Sequence, residues 1–232
     1  MTVMRIRVLF CVLGFVSFNA LAQEYNKFDV EGKRHGKWRK TYENSDQLRY
    51  EGTFEHGKEV GEFKFYKPNS DKFPTAIKTF AKDSDTIKIK YFTQNGQVIS
   101  KGNMIGKDRI GLWEYYHNGS DKKIMMTEQY KLGRLNGEQL TYFENGQLTE
   151  KITYFDGKRN GKRFIYSNTG VIIKEFTYEN DQLHGPTKYY DTNGDLLIEG
   201  NYKRDRKDGI WNYYEKGKLS EQKLFPVQKR GF

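Results

Sequence analysis

Residues 133–146 read GRLNGEQLTYFENG, and nearly the same phrase stands at 106–119 as GKDRIGLWEYYHNG and at 157–170 as GKRNGKRFIYSNTG. Aligned on the second glycine of the phrase, the chain yields Gly36, Gly61, Gly111, Gly137, Gly161, Gly185 and Gly209, at intervals of 25, 50, 26, 24, 24 and 24 residues. A fixed period in this range is the mark of a repeat array. The interval of 50 is two periods, which predicts a degenerate copy with Thr86 in the glycine position. A tyrosine five residues further on checks the phase. Tyr66, Tyr116, Tyr142, Tyr166, Tyr190 and Tyr214 hold that place, Tyr91 holds it after Thr86, and only Tyr42 slips by one. Eight units of about 24 residues therefore fill residues 31–225.

Every unit has a second turn signal eight to ten residues after the aligned position: Asn-Gly at 95, 118, 145 and 193, Asn-Thr-Gly at 168 and Lys-Gly at 216. The first two units use Asn-Ser-Asp and Pro-Asn-Ser there. Asn-Gly between alternating runs signals a tight hairpin, because both residues accept a positive φ. Between turns the apolar period is two: Phe164 with Tyr166, then Ile172, Phe176 and Tyr178 beyond the turn. Each unit is thus expected as a β-hairpin, with the residues from Lys158 to Gly161 forming one of the turns that pass the chain to the next hairpin. The predicted fold is all-β, an elongated antiparallel array of about eight hairpins with no helix after residue 23. At about 4.8 Å per strand the sheet should run to roughly 75 Å. A lone hairpin is marginal, but stacked ones bury a continuous row. The composition suits such a thin body: 36% of residues are hydrophobic, yet the chain has 17 Tyr, 16 Phe and 3 Trp. Each aromatic is expected to stack on its counterpart in the next unit.

The first 22 residues differ from the rest. Arg5 and Arg7, an apolar run from Val8 to Phe18, and Ala20-Leu21-Ala22 before Gln23 form the pattern of a cleaved secretory signal peptide. The apolar run is shorter than the roughly 20 residues a spanning helix needs. The expected division is a signal peptide at 1–22, a lead-in at 23–30, the array at 31–225 and a tail at 226–232, with export to the periplasm or the extracellular space. Cleavage removes Cys11, the only cysteine, and with it any disulfide, thiol nucleophile or thiolate ligand. Losing two arginines and no acid takes the formal charge from +10 to +8. Acids and bases are interspersed, so the surface is mixed with a basic bias.

Gly111-Leu-Trp-Glu-Tyr-Tyr116, Gly209-Ile-Trp-Asn-Tyr-Tyr214 and Glu199-Gly-Asn-Tyr202, repeated in phase with the Asn-Gly turns, resemble the MORN (membrane occupation and recognition nexus) repeat. The resemblance is strongest to the bacterial variant of YwqK-type proteins, often labelled antitoxin components. It implies an all-β binding scaffold, with roles in protein assembly, lipid contact or toxin neutralisation. The signal peptide departs from a cytoplasmic antitoxin and leaves neutralisation in the periplasm as the compatible version.

No catalytic constellation stands out. His35, His56 and His184 precede turn glycines and His117 lies beside Asn118. A zinc site needs several ligands converging on one point, whereas turns repeated along an edge should stand two strand spacings apart. No metal, cofactor or catalytic residue is expected, and the chain is predicted not to be an enzyme. Asp83-Ser-Asp85 lacks the glycine and terminal glutamate of a calcium loop. Gly-x-x-x-Gly with lysine has no Gly-Lys-Ser/Thr and no helix to make it a phosphate loop. Two patches remain. Trp38, Phe63, Trp113 and Trp211, with Tyr115 and Tyr213 beside them, are candidates for a partner-binding face, since a one-layer sheet leaves one face open. Lys33, Arg34, Lys58, Lys107, Arg109, Arg134, Lys158, Arg159, Lys203 and Arg204 recur on what should be one edge and are candidates for anion binding. The expected partner is another protein, with anionic lipid or an envelope polysaccharide as the alternative and a homodimer through the ring face as a third; no nucleic acid is expected.

Overall fold

The computed structural model describes residues 24–226 except 69, 71, 119 and 121; the expected signal peptide lies outside them, as does all of the tail but Pro226. The chain is all-β, an open antiparallel sheet in which every strand pairs with its neighbours in the chain. A two-residue strand, β1 (Lys27–Phe28), leads in. Then come β2 (Arg34–Thr41) and β3 (Leu48–Glu55), β4 (Lys58–Phe65) and β5 (Ala76–Phe80), β6 (Thr86–Phe92) and β7 (Val98–Ile105), β8 (Asp108–Tyr116) and β9 (Ile124–Lys131). The second half contains β10 (Arg134–Leu135), paired with β9, and β11 (Gly137–Tyr142), paired with β9 and with β12 (Leu148–Phe155). β13 (Lys158–Tyr166) and β14 (Ile172–Glu179) follow, then β15 (Gln182–Leu183) and β16 (Gly185–Tyr190) with β17 (Leu196–Lys203), and finally β18 (Arg206–Glu215) and β19 (Lys218–Phe225). Eight hairpins result, and the degenerate unit around Thr86 supplies two ordinary strands.

The two kinds of turn exchange the places expected of them. The tight two-residue turns are His56-Gly57, Leu132-Gly133, Asp156-Gly157, Asn180-Asp181, Arg204-Asp205 and Lys216-Gly217, each with positive φ at both residues. Their backbone twist matches that of the strands they join. All but Lys216-Gly217 stand on one edge of the sheet, which we call the turn edge. The segment Lys158–Gly161 is no turn but the start of β13. At the opposite edge Asn-Gly sits in a wider loop. Phe143 N–H donates to Gln147 O at 2.8 Å and Gly146 N–H to Phe143 O at 2.9 Å, so only the glycine needs a positive φ. The same loop recurs at 93–97, 167–171 and 191–195.

The aligned glycine has a different use. Beyond each tight turn the register slips, as between Lys101 and Asn103, where the pairing passes from Glu114 to Ile110. Gly111 sits in this β-bulge with φ +62. Gly36, Gly61, Gly137, Gly161, Gly185 and Gly209 also have positive φ. A bulge increases local twist and re-aims the next side chain. Of the full-length strands, β5 pairs with both β4 and β6 without a slip. That is why Thr86 can stand where the other units need glycine.

Backbone bonds tie successive tight turns along the edge. Gly57 N–H donates to Arg34 O, Gly133 to Arg109 O, Gly157 to Leu135 O, Asp181 to Arg159 O and Asp205 to Leu183 O, at 2.8–3.0 Å. Two rungs are doubled, because Asp181 and Asp205 accept the N–H of Arg159 and Leu183 through their carboxylates. Among the described residues the turns at 81–85 and 106–107 have no such rung.

Candidate functional site

The re-aimed residue two places after the bulge glycine reaches across the neighbouring strand. Phe63 lies over Gly52, Trp113 over Gly102 and Trp211 over Gly200; a Cβ on those glycines would sit 2.5, 2.4 and 2.3 Å from ring atoms. The three rings are 0%, 0% and 1% exposed. Each indole N–H of Trp113 and Trp211 donates to the carbonyl of the residue after its glycine, Asn103 and Asn201, at 3.1 Å. A buried Trp is satisfied by such a partner.

Cations close the other side. Arg109 lies 4.3 Å from the Trp113 centroid, Lys207 4.0 Å from Trp211, and Arg34 5.2 Å from Trp38 and 5.1 Å from Phe54. Phe63, Trp113 and Trp211, expected on an open ring stripe, are instead buried: each packs against a glycine and neighbouring rings, and Trp113 and Trp211 have a cation lid as well. Trp38 is half-buried and donates to Lys27 O at 3.0 Å. Edge-to-face contacts run Phe28, Trp38, Phe54, Phe63, Phe80 at 5.1–5.7 Å. The ring row thus includes the offset-two residues Trp38 and Phe63, joined by Phe28, Phe54 and Phe80. The offset-five tyrosines do not stack on one another; Tyr66 and Tyr214 donate to Glu51 and Glu199 on the opposite face. Burial pushes the Tyr66 phenol up to about 12, and the Glu51 carboxylate adds to it.

Tyr115 belongs to a polar network within the ring face. Arg109 donates to the Tyr115 and Tyr130 hydroxyls at 2.7 and 3.0 Å, and both phenols donate to Glu128 Oε2 at 2.6 and 2.8 Å. Gln139 donates to Glu128 Oε1 at 2.8 Å. Glu128 is buried, and this set satisfies it. Burial first, then the bond to Glu128, holds the Tyr115 and Tyr130 phenols above their ordinary range. They remain protonated donors, which suits a structural link and not a base. Tyr213 is half-buried and lies under Lys207 and Lys223 at 5.8 and 4.9 Å.

The ten loop cations do come to one edge, but they are not one field. Arg34 and Arg109 are spent on rings, Lys33 pairs with Glu31, Arg134 with Asp156 and Arg159 with Asp181. Lys58, Lys107, Lys158, Lys203 and Arg204 make no ion pair among the described residues. Between Lys107 and Lys158, one groove stands out. Leu132 is 74% exposed and Phe155 63%, on adjacent turns, and Lys131, Arg134, Asn136 and Asp156 line the space between them. Nothing in the period singled these two out. Their signal was a leucine in a turn, Lys131-Leu-Gly-Arg134, where the other units have His, Asp, Asn or Arg.

The separation expected of the turn histidines fails at the first two. The rung from Gly57 to Arg34 draws the 56–57 turn onto the start of β2, and the His35 and His56 rings meet at 5.0 Å between centroids. Asp29 joins them: its Oδ2 lies 2.8 Å from His56 Nδ1.

A family profile described as MORN repeat variant matches residues 135–156, 159–180 and 183–204. These are three adjacent repeats of the second half, each from just before a bulge glycine to the next tight turn. No curated protein matches the chain.

Proposed function

We propose that the chain is an exported, non-catalytic scaffold that holds a protein partner in the cell envelope, and that the contact lies on the turn edge at Leu132 and Phe155. Their exposure carries the proposal. Two large apolar side chains left in water by a sheet that buries its tryptophans are poor economy unless something covers them. The neighbouring Lys131 and Lys158 favour a partner whose apolar contact is bordered by acids. MORN repeats commonly bind proteins or lipids, which agrees with the profile match over this part of the chain. The residues before 24 support export through their signal-peptide pattern.

The test is affinity capture from crosslinked cells with the tagged chain and with a Leu132→Ser, Phe155→Ser variant. One dominant protein lost with the variant is the expected result; undiminished capture would sink the groove as the contact. A captured toxin would favour the neutralising role that the resemblance to YwqK-type proteins implies. A second role, binding of anionic lipid or envelope polymer, is favoured by the five edge cations without ion pairs. Binding of that kind weakens steeply with salt, so vesicles of anionic lipid that stay bound at high salt would exclude it.

A further inference from the structure

We infer that Asp29, His35 and His56 form a binding site for a divalent first-row transition metal, zinc or a neighbour of it, at the N-terminal end of the turn edge. One ligand atom from each of the three side chains can be chosen so that all lie within 4.8 Å of one another. Donors on a tetrahedral zinc, about 2.0–2.1 Å from the ion, stand a little over 3 Å apart. Small rotations of two surface imidazoles close the difference. Two imidazoles and a carboxylate are a donor set for zinc, copper or nickel and a poor one for calcium or magnesium.

Three segments converge to make the site, and two of them are fixed by backbone bonds. Asp29 closes the lead-in loop: its N–H donates to Lys33 O, and its carbonyl accepts the Gly32 N–H. Its Oδ1 accepts the N–H groups of Glu31 and Lys33 at 3.0 and 2.8 Å. The carboxylate is thereby anchored, 8% exposed, with Oδ2 turned to His56. The Lys33 N–H, then burial working against it and the bond to His56, leave the Asp29 carboxyl below its ordinary range, so it is charged at neutral pH. His56 is held in the tight turn with φ +48, and the rung from Gly57 to Arg34 holds that turn against β2, which carries His35. No other rung brings two such donors together: the equivalent pairs are Ile110 with Leu132, Asn136 with Asp156, Asn160 with Asn180, and His184 with Arg204.

The local charge does not exclude a cation. Lys33 is engaged by Glu31, and Arg34 is laid over Trp38 and Phe54, so the nearest positive groups are turned to other partners. The fourth position stays open to water or to a donor from another molecule, which is the pattern of an unclosed site.

The experiment is calorimetric titration of zinc into the full chain, prepared without a polyhistidine tag, repeated with cobalt(II) and read by its visible absorption. One ion per chain is expected, weakened roughly tenfold or more by His35→Gln and by His56→Gln, and unchanged by His184→Gln, which lies outside the cluster. His35→Gln is the decisive variant, since the His35 side chain has a ring contact and no hydrogen bond, so its loss spares the lead-in loop. Saturable one-site binding that both cluster variants leave within about twofold, or the absence of one-site binding altogether, would overturn the site.

Discussion

The outer units and the central ones solve one packing problem in opposite ways. In each, the residue nine before the bulge glycine faces the residue two after it. In the outer units the pairs are Gly52 with Phe63, Gly102 with Trp113 and Gly200 with Trp211, a bare backbone beneath a ring. The central units have Glu128 with Gln139, Ile152 with Arg163 and Phe176 with Thr187. There the first strand carries a full side chain in place of glycine, and its partner is either small or hydrogen-bonded. Thr187 is 1% exposed and donates to Glu175 O, Gln139 donates to Glu128, and Arg163 reaches Glu150. The bulge follows suit. Gly61, Gly111 and Gly209 have φ of +67, +62 and +68, while Gly137, Gly161 and Gly185 open to +119, +113 and +99. The lesson is that this repeat fills one strand pair in two ways, with a ring laid over a glycine or with a side chain from each strand. The profile match falls on the three units of the second type.

The largest break in this contrast should come from Trp113→Ala, which empties a fully buried ring site over a glycine; about 3–5 kcal/mol is expected by urea denaturation. Thr187→Ala, at the same place in a central unit, should cost about 1–2 kcal/mol for a hydrogen bond and a methyl group. Gly102→Ala should approach the first of these, about 2–3 kcal/mol, because its Cβ would meet an indole that has no room to move. The glycines of the bulge sharpen the comparison further. Gly161→Asn, at φ +113, lies outside the left-handed region and should cost about 2–3 kcal/mol. Gly111→Asn, at φ +62 with open space around it, should cost about 1 kcal/mol. Equal losses at the two positions would mean that the two bulges are one.

The smallest effect is a pH dependence on the opposite face. The Tyr214 hydroxyl, and then Asn212, lower the Glu199 carboxyl below its ordinary 4.5. A depressed carboxylate stabilises the fold above its unfolded value, and that contribution disappears as pH falls through the folded one. Tyr214→Phe should therefore cost little at neutral pH and flatten the acid fall in stability. An unchanged slope between wild type and variant would remove the bond from the account.

Period, unit count and strand content were all legible, because a register of 24 residues places glycine and tyrosine at fixed distances whatever their packing. The division of labour among the glycines was hidden. Gly57, Gly61 and Gly52 are one letter in the sequence, yet one turns the chain, one bulges it and one lies beneath a ring. Asn-Gly was taken for a two-residue turn because both residues can adopt a positive φ; the three-residue loop uses that capacity only in the glycine. The burial of Trp113 could not be read from a single strand, since its lid is Arg109 on the same strand and its floor is Gly102 on another. The meeting of His35 with His56 depends on a backbone rung that leaves no mark in side-chain identity. For the edge cations, the place was legible and the partners, Asp156 and Asp181, were not.

The ladder of bonds between tight turns stops at 81–85, beside β5, the shortest of the full-length strands, with five residues and no bulge. Pulled from its two ends, the molecule is a series of joints loaded in turn, and a series parts at its poorest joint. Tension transmitted through a bound partner would open the sheet next to β5 and leave the six hairpins beyond it folded.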